Sequence, residues 1–108
     1  MTLTLQDAQH ASWKIFRKIN DRLGVENGKS RDAFVIVADL LEEAGEVAAV
    51  VKGLESFRPP NERKPKETLA KELNDVLYCV FVLAEHYGLD LEESFLEQVN
   101  DHLLRLLT

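Results

Sequence analysis

Nine consecutive apolar residues, Val-Leu-Tyr-Cys-Val-Phe-Val-Leu-Ala at positions 76–84, constrain this chain more than any other feature. They stand in the second half of a helical pattern. A helix that is apolar on every face must be covered on every side. A chain of 108 residues is long enough for one domain, residues 1–108, and too short for two. Such a domain offers few places to surround a helix completely. The run therefore predicts both a core position and a subunit interface, in a homodimer or homotetramer. It is far shorter than the roughly 20 residues that cross a bilayer, so no membrane partner is expected.

The rest of the pattern is helical too. A first helix is expected from Leu5 to Leu23, opened by the capping-box pair Thr4 and Asp7 and stopped at Gly24. A turn follows, Gly24 to Lys29. Ser30 is a good N-cap for a second helix that runs to Lys52. Gly53 to Lys64 is expected as a loop, because Pro59-Pro60 excludes helix there. Pro65 suits the first position of a third helix, which ends at Tyr87 before Gly88. Asp90 and Glu93 open a fourth helix that reaches Leu106. No stretch alternates as a strand would. The predicted fold is all-α, a four-helix bundle-like domain.

Charge narrows the function. With 19 acidic and 13 basic residues the net charge is -6, which opposes binding to a nucleic acid polymer. A phosphate-bearing substrate needs cations to offset that field. The single cysteine, Cys79, excludes an internal disulfide and a cysteine-based zinc site. Met1 to Asp7 lacks the basic and apolar regions of a secretion signal, so the cytoplasm is the expected location.

The acids fall in a pattern. Successive residues of a helix turn by about 100°. Asp39, Glu42, Glu43 and Glu46 therefore share an arc of the second helix, opposite an apolar face made by Phe34, Val37, Ala38, Leu41, Gly45 and Ala48. Glu43 and Glu46 are three apart, hence neighbours, and Glu72 and Asp75 repeat that spacing on the third helix. Packed antiparallel, the two helices would aim four carboxylates at one volume. Carboxylates so placed raise one another's pKa unless a cation sits among them. Oxygen-only ligands suit magnesium, manganese or calcium. A di-iron site would need Glu-x-x-His pairs. His10, His86 and His102 do not stand at those positions.

These residues resemble a known family. Leu41-Glu42-Glu43-Ala44-Gly45-Glu46-Val47, a spacer, then Lys71-Glu72-Leu73-Asn74-Asp75-Val76-Leu77-Tyr78 is similar to the Glu-Glu-x-x-Glu and Glu-x-x-Asp motifs of MazG-like nucleotide pyrophosphohydrolases. The similarity runs on through Leu83 to Glu93 and covers Phe34 to Arg105. It implies an all-α, oligomeric enzyme that converts a nucleoside triphosphate and water into a monophosphate and pyrophosphate. By the resemblance Glu43, Glu46, Glu72 and Asp75 hold Mg2+, which Mn2+ can replace, and Glu42 orients or deprotonates the attacking water. Asn100, His102 and Arg105 fall where relatives place Asn, Lys and Arg against phosphate. His102 is a departure from that pattern.

A second departure is Asp39, where relatives often carry a basic residue. Lys52, Arg58, Arg63, Lys64 and Lys66 offer compensating charge. Trp13, with His10 and Phe16 at helical spacing, is a candidate platform for the base, although such rows ordinarily belong to a core. Two alternatives accompany this reading. Phosphoribosyl-ATP pyrophosphohydrolase has a similar glutamate-rich core and an echo of Asn74 to Cys79, but normally a lysine at the position of Asp39. A metal-stabilised helical interaction module without catalysis is the other.

Overall fold

The computed structural model describes residues 2–22, 33–56 and 66–108. They form four helices, α1 (Leu5–Arg22), α2 (Ala33–Leu54), α3 (Lys66–His86) and α4 (Leu91–Leu107). No strand occurs among the described residues. The expectations for Gly24 to Lys29, Ser30, Pro59-Pro60, Arg58, Arg63, Lys64 and Pro65 lie outside them.

Local chemistry sets the helix ends. At the start of α1, the Asp7 amide donates to Thr4 Oγ1 at 3.0 Å and the Thr4 amide donates to Asp7 Oδ2 at 3.2 Å. This is the reciprocal capping box. Asp90 caps α4, accepting from the Glu93 amide at 3.2 Å. α3 ends on a Schellman turn. Leu89 N–H donates to the Ala84 carbonyl and Gly88 N–H to the Glu85 carbonyl, with Gly88 at φ +66°. A side chain would strain there, which makes Gly88 the stop. Gly53 is a correction. Helix α2 runs through it to Leu54, two residues beyond the expected end at Lys52, because glycine permits a stop without imposing one.

Packing is uneven. α3 lies along α2 and, less extensively, along α1, and α4 packs on α1 less extensively still. The core gathers Phe16, Ile36 and Val82, with Trp13, Tyr78 and Leu83 packed against it. Cys79, Phe81, Val82 and Ala84 of the apolar run are buried, but Leu77 is 46% exposed. One chain therefore does not cover the run on every side, as the sequence leads one to expect. α4 contains no buried residue and is the least covered of the four helices.

One polar device fixes the α3–α4 corner. Gln9 is buried at 2% exposure. Its Nε2 donates to the Leu89 carbonyl at 2.7 Å and to Glu85 Oε1 at 3.2 Å, and its Oε1 accepts from the Leu91 amide at 3.3 Å. Glu85 also pairs with His10.

Candidate functional site

α2 and α3 run antiparallel with a steady register. Glu46 lies across from Glu72, and Glu43 is felt by both Asp75 and Glu72. One turn further, Asp39 shares a hollow with Tyr78 and Cys79. One turn beyond that, Ile36 and Val82 meet in the core. The i, i+3 and i, i+4 geometry of each helix produces this ladder. Three steps carry acids and the last is closed and apolar.

Oxygens of Glu43, Glu46 and Glu72 all lie within 4.8 Å of one another. Oε2 of Glu43 and Oε2 of Glu72 are buried without a hydrogen-bond partner. Burial, then the charges of Asp75, Glu72 and Glu42, hold the Glu43 carboxyl above its usual pKa. A hydrogen bond with Glu46, then burial, raises Glu72 likewise. Orphaned carboxylate oxygens, all hard donors, fit a divalent cation such as magnesium.

Asp75 stands apart from this trio. Lys71 Nζ donates to Asp75 Oδ2 at 3.1 Å and lies 4.0 Å from Glu72 Oε1. The hydrogen bond to Asp75, followed by its charge, raises the Lys71 pKa. Sequence reasoning missed this lysine. The signal was present in its position four before Asp75 and beside Glu72.

Beside the trio opens a hollow of about 420 Å³, lined by Asp39, Glu42, Glu43, Asp75, Tyr78 and Cys79. Glu42, one of its lining residues, is exposed. Tyr78 and Cys79, read from the sequence as core, also form part of its wall.

Other expected residues lie elsewhere. Trp13 stacks on Phe16, ring centroids 5.3 Å apart, in the core. With His10 held by Glu85, none of these three lines the hollow. Asn100, His102 and Arg105 are exposed on α4, outside the hollow of their own chain. Arg105 is paired with Asp101 at 3.1 Å.

The chain matches the sequence model of the MazG nucleotide pyrophosphohydrolase domain over residues 34–102, a span that contains the whole ladder. It is also similar to a protein named "Uncharacterized protein YvdC" from Bacillus subtilis (strain 168), with 38% identity over 66 residues. That match covers 56% of this chain and 62% of the relative, less than two thirds of its length.

Proposed function

Because the chain belongs to the MazG nucleotide pyrophosphohydrolase domain family, we propose that it hydrolyses nucleoside or deoxynucleoside triphosphates to the monophosphate and pyrophosphate, with magnesium, as a house-cleaning activity of the cytoplasmic nucleotide pool. One observation carries the reading: Glu43, Glu46 and Glu72 converge, and two of their oxygens are buried without partners. These three, with Asp75 beside them, would hold the ion. When bound, magnesium, or manganese in its place, offsets polyphosphate charge and acidifies water.

The chain's own residues do the rest. Glu42, which lines the hollow, takes a proton from the attacking water. The water oxygen bonds to the α-phosphorus, the bond to the bridging oxygen breaks, and pyrophosphate leaves with the displaced electron pair. Asn100, His102 and Arg105 reach the phosphates from the α4 of a second copy, since they do not line the hollow of their own chain. The functional unit is accordingly a homo-oligomer.

A turnover screen across nucleotides, with magnesium and with manganese, tests the reading. Pyrophosphate is the expected product, with labelled water oxygen in the monophosphate. Glu42→Gln should lower turnover by about 100-fold or more while nucleotide still binds. Orthophosphate and a diphosphate as products would sink the mechanism. Phosphoribosyl-ATP as the sole substrate would select the histidine-pathway type of enzyme instead.

A further inference from the structure

We propose that Lys71 couples the cation to the nucleotide: in the ion-free chain it holds Asp75, and once Asp75 turns to the ion, the freed ammonium takes a phosphate oxygen of the substrate. The inference rests on the pyrophosphohydrolase reading of the same site and adds a phosphate-binding residue to it.

The four acids are not alike. Oxygens of Glu43, Glu46 and Glu72 converge within 4.8 Å, and Asp75 is not among them. Asp75 accepts instead from Lys71 Nζ, at 3.1 Å. Residues four apart on a helix stand one above the other, so α3 by itself supplies this pair. The same ammonium is 4.0 Å from Glu72 Oε1. Lys71 therefore links the acid outside the trio to a member of it. Its charge also reaches Glu43, across on α2. The pair is open to water, with side chains 69% and 39% exposed. Ion pairs so exposed are weak, so a divalent ion among the acids displaces the lysine from Asp75.

Displacement leaves an ammonium on the same turn of α3 as the ion's ligands. Like charges that close repel. An anion that meets both turns the repulsion into attraction, and a triphosphate is such an anion. An ammonium carries three donors and no acceptor, which suits it to phosphate oxygens. Two opposite effects follow from one side chain. Without nucleotide, Lys71 competes with the ion for Asp75 and weakens its binding. With nucleotide, it adds a contact. Ion and nucleotide then favour each other, equally in both directions by linkage.

Two equilibrium measurements test this without turnover. Electron paramagnetic resonance of free Mn2+ gives the affinity for the ion alone. Binding of uncleavable α,β-methylene nucleoside triphosphates at saturating magnesium gives the affinity for the substrate. Lys71→Met should tighten Mn2+ and weaken the analogue, each by at least about fivefold, the scale of one unit charge 4 Å away in water. Lys71→Arg, which keeps the charge, should stay near the native values. Lys66→Met removes a charge from the first turn of the same helix and should move neither constant by more than about twofold. In an Asp75→Asn background, Lys71→Met should lose most of its effect on Mn2+, because the contested carboxylate is gone. Circular dichroism checks that each variant remains helical. Mn2+ affinity unchanged or weakened in Lys71→Met, analogue affinity unchanged, equal shifts in Lys66→Met, or a full effect in the Asp75→Asn background overturns the proposal. Opposite shifts in a native protein that releases no pyrophosphate from cleavable nucleotides overturn the reaction alone. Pyrophosphate release without those shifts overturns the role of Lys71 alone, and no binding of ion or analogue overturns both.

Discussion

Glu43 and Glu72 carry carboxyls whose pKa values lie above the ordinary 4.5 in the folded chain. Burial is the main cause for Glu43, and the hydrogen bond with Glu46 for Glu72. The sign of the linkage follows. A folded chain that holds these protons more tightly than the unfolded one gains stability from them below the unfolded pKa. That gain is lost as pH rises through the folded values. The metal-free protein should thus melt lower near neutral pH than near about pH 5 on account of these two groups. Divalent cations bind the ionised forms, so magnesium should raise the melting temperature more at neutral pH than at acid pH. Thermal melts across pH, with magnesium and with chelator, check this, and a magnesium shift larger in acid would contradict it. Glu72→Gln should raise the melting temperature of the metal-free protein and remove most of the magnesium response, since it relieves repulsion and takes away a ligand. The acid spacing that makes this site was readable, because i, i+3 pairs place side chains together whatever the tertiary fold. The hold of Lys71 on Asp75 was less so, since a lysine among acids on an exposed helix face has several partners within reach.

At the scale of elements, the helix ends were the clearest part of the sequence. Thr4 with Asp7, Asp90 with Glu93, and Gly88 act through atoms a few residues away, so no long-range knowledge is needed. Gln9 is the opposite case. Its partners Glu85, Leu89 and Leu91 are 76 to 82 residues distant, and nothing near Gln9 marks it as buried. It supplies donors and acceptors to a corner that would otherwise leave backbone groups unpaired. Gln9→Leu should lower stability by about 1–3 kcal/mol, the usual consequence of orphaning buried polar groups. Denaturant unfolding measures the loss. Hydrogen exchange should show its largest acceleration at the Leu91 amide, and an unchanged Leu91 amide would mean that the corner is held by packing instead. Asp90→Ala, which removes the α4 cap, should cost about 1 kcal/mol and fray only the first turn of that helix.

The molecule as a whole is open for its length. Its radius of gyration is 17.3 Å, against about 13 Å for a compact domain of the same size. α4 accounts for much of the exposed apolar surface, with Phe95, Leu96, Leu103, Leu104, Leu106 and Leu107 each more than half exposed. On α2, Phe34 and Leu41 are 85% and 68% exposed. Apolar surface on this scale ordinarily marks an interface. The apolar run in α3 hinted at a partner from sequence alone, but the pattern could not tell that α4, with its amphipathic spacing, would be the helix left uncovered. Two consequences separate a second copy from a lone chain. Sedimentation at micromolar concentration should give a dimer or larger, and Leu96→Glu with Leu104→Glu should shift it toward monomer. The sharper consequence concerns the site. If α4 of one copy brings Asn100, His102 and Arg105 to the acids of another, a Glu42→Gln chain and an Arg105→Ala chain are each severely impaired alone but complement each other. A mixed dimer then contains one site with both defects and one with neither. Random exchange of equal amounts makes half of the dimers mixed, so activity should recover to about a quarter of the native level, as two-fold symmetry requires. No recovery after verified subunit exchange would mean that each copy works with its own α4, and that the helix must swing back onto the hollow of its own chain.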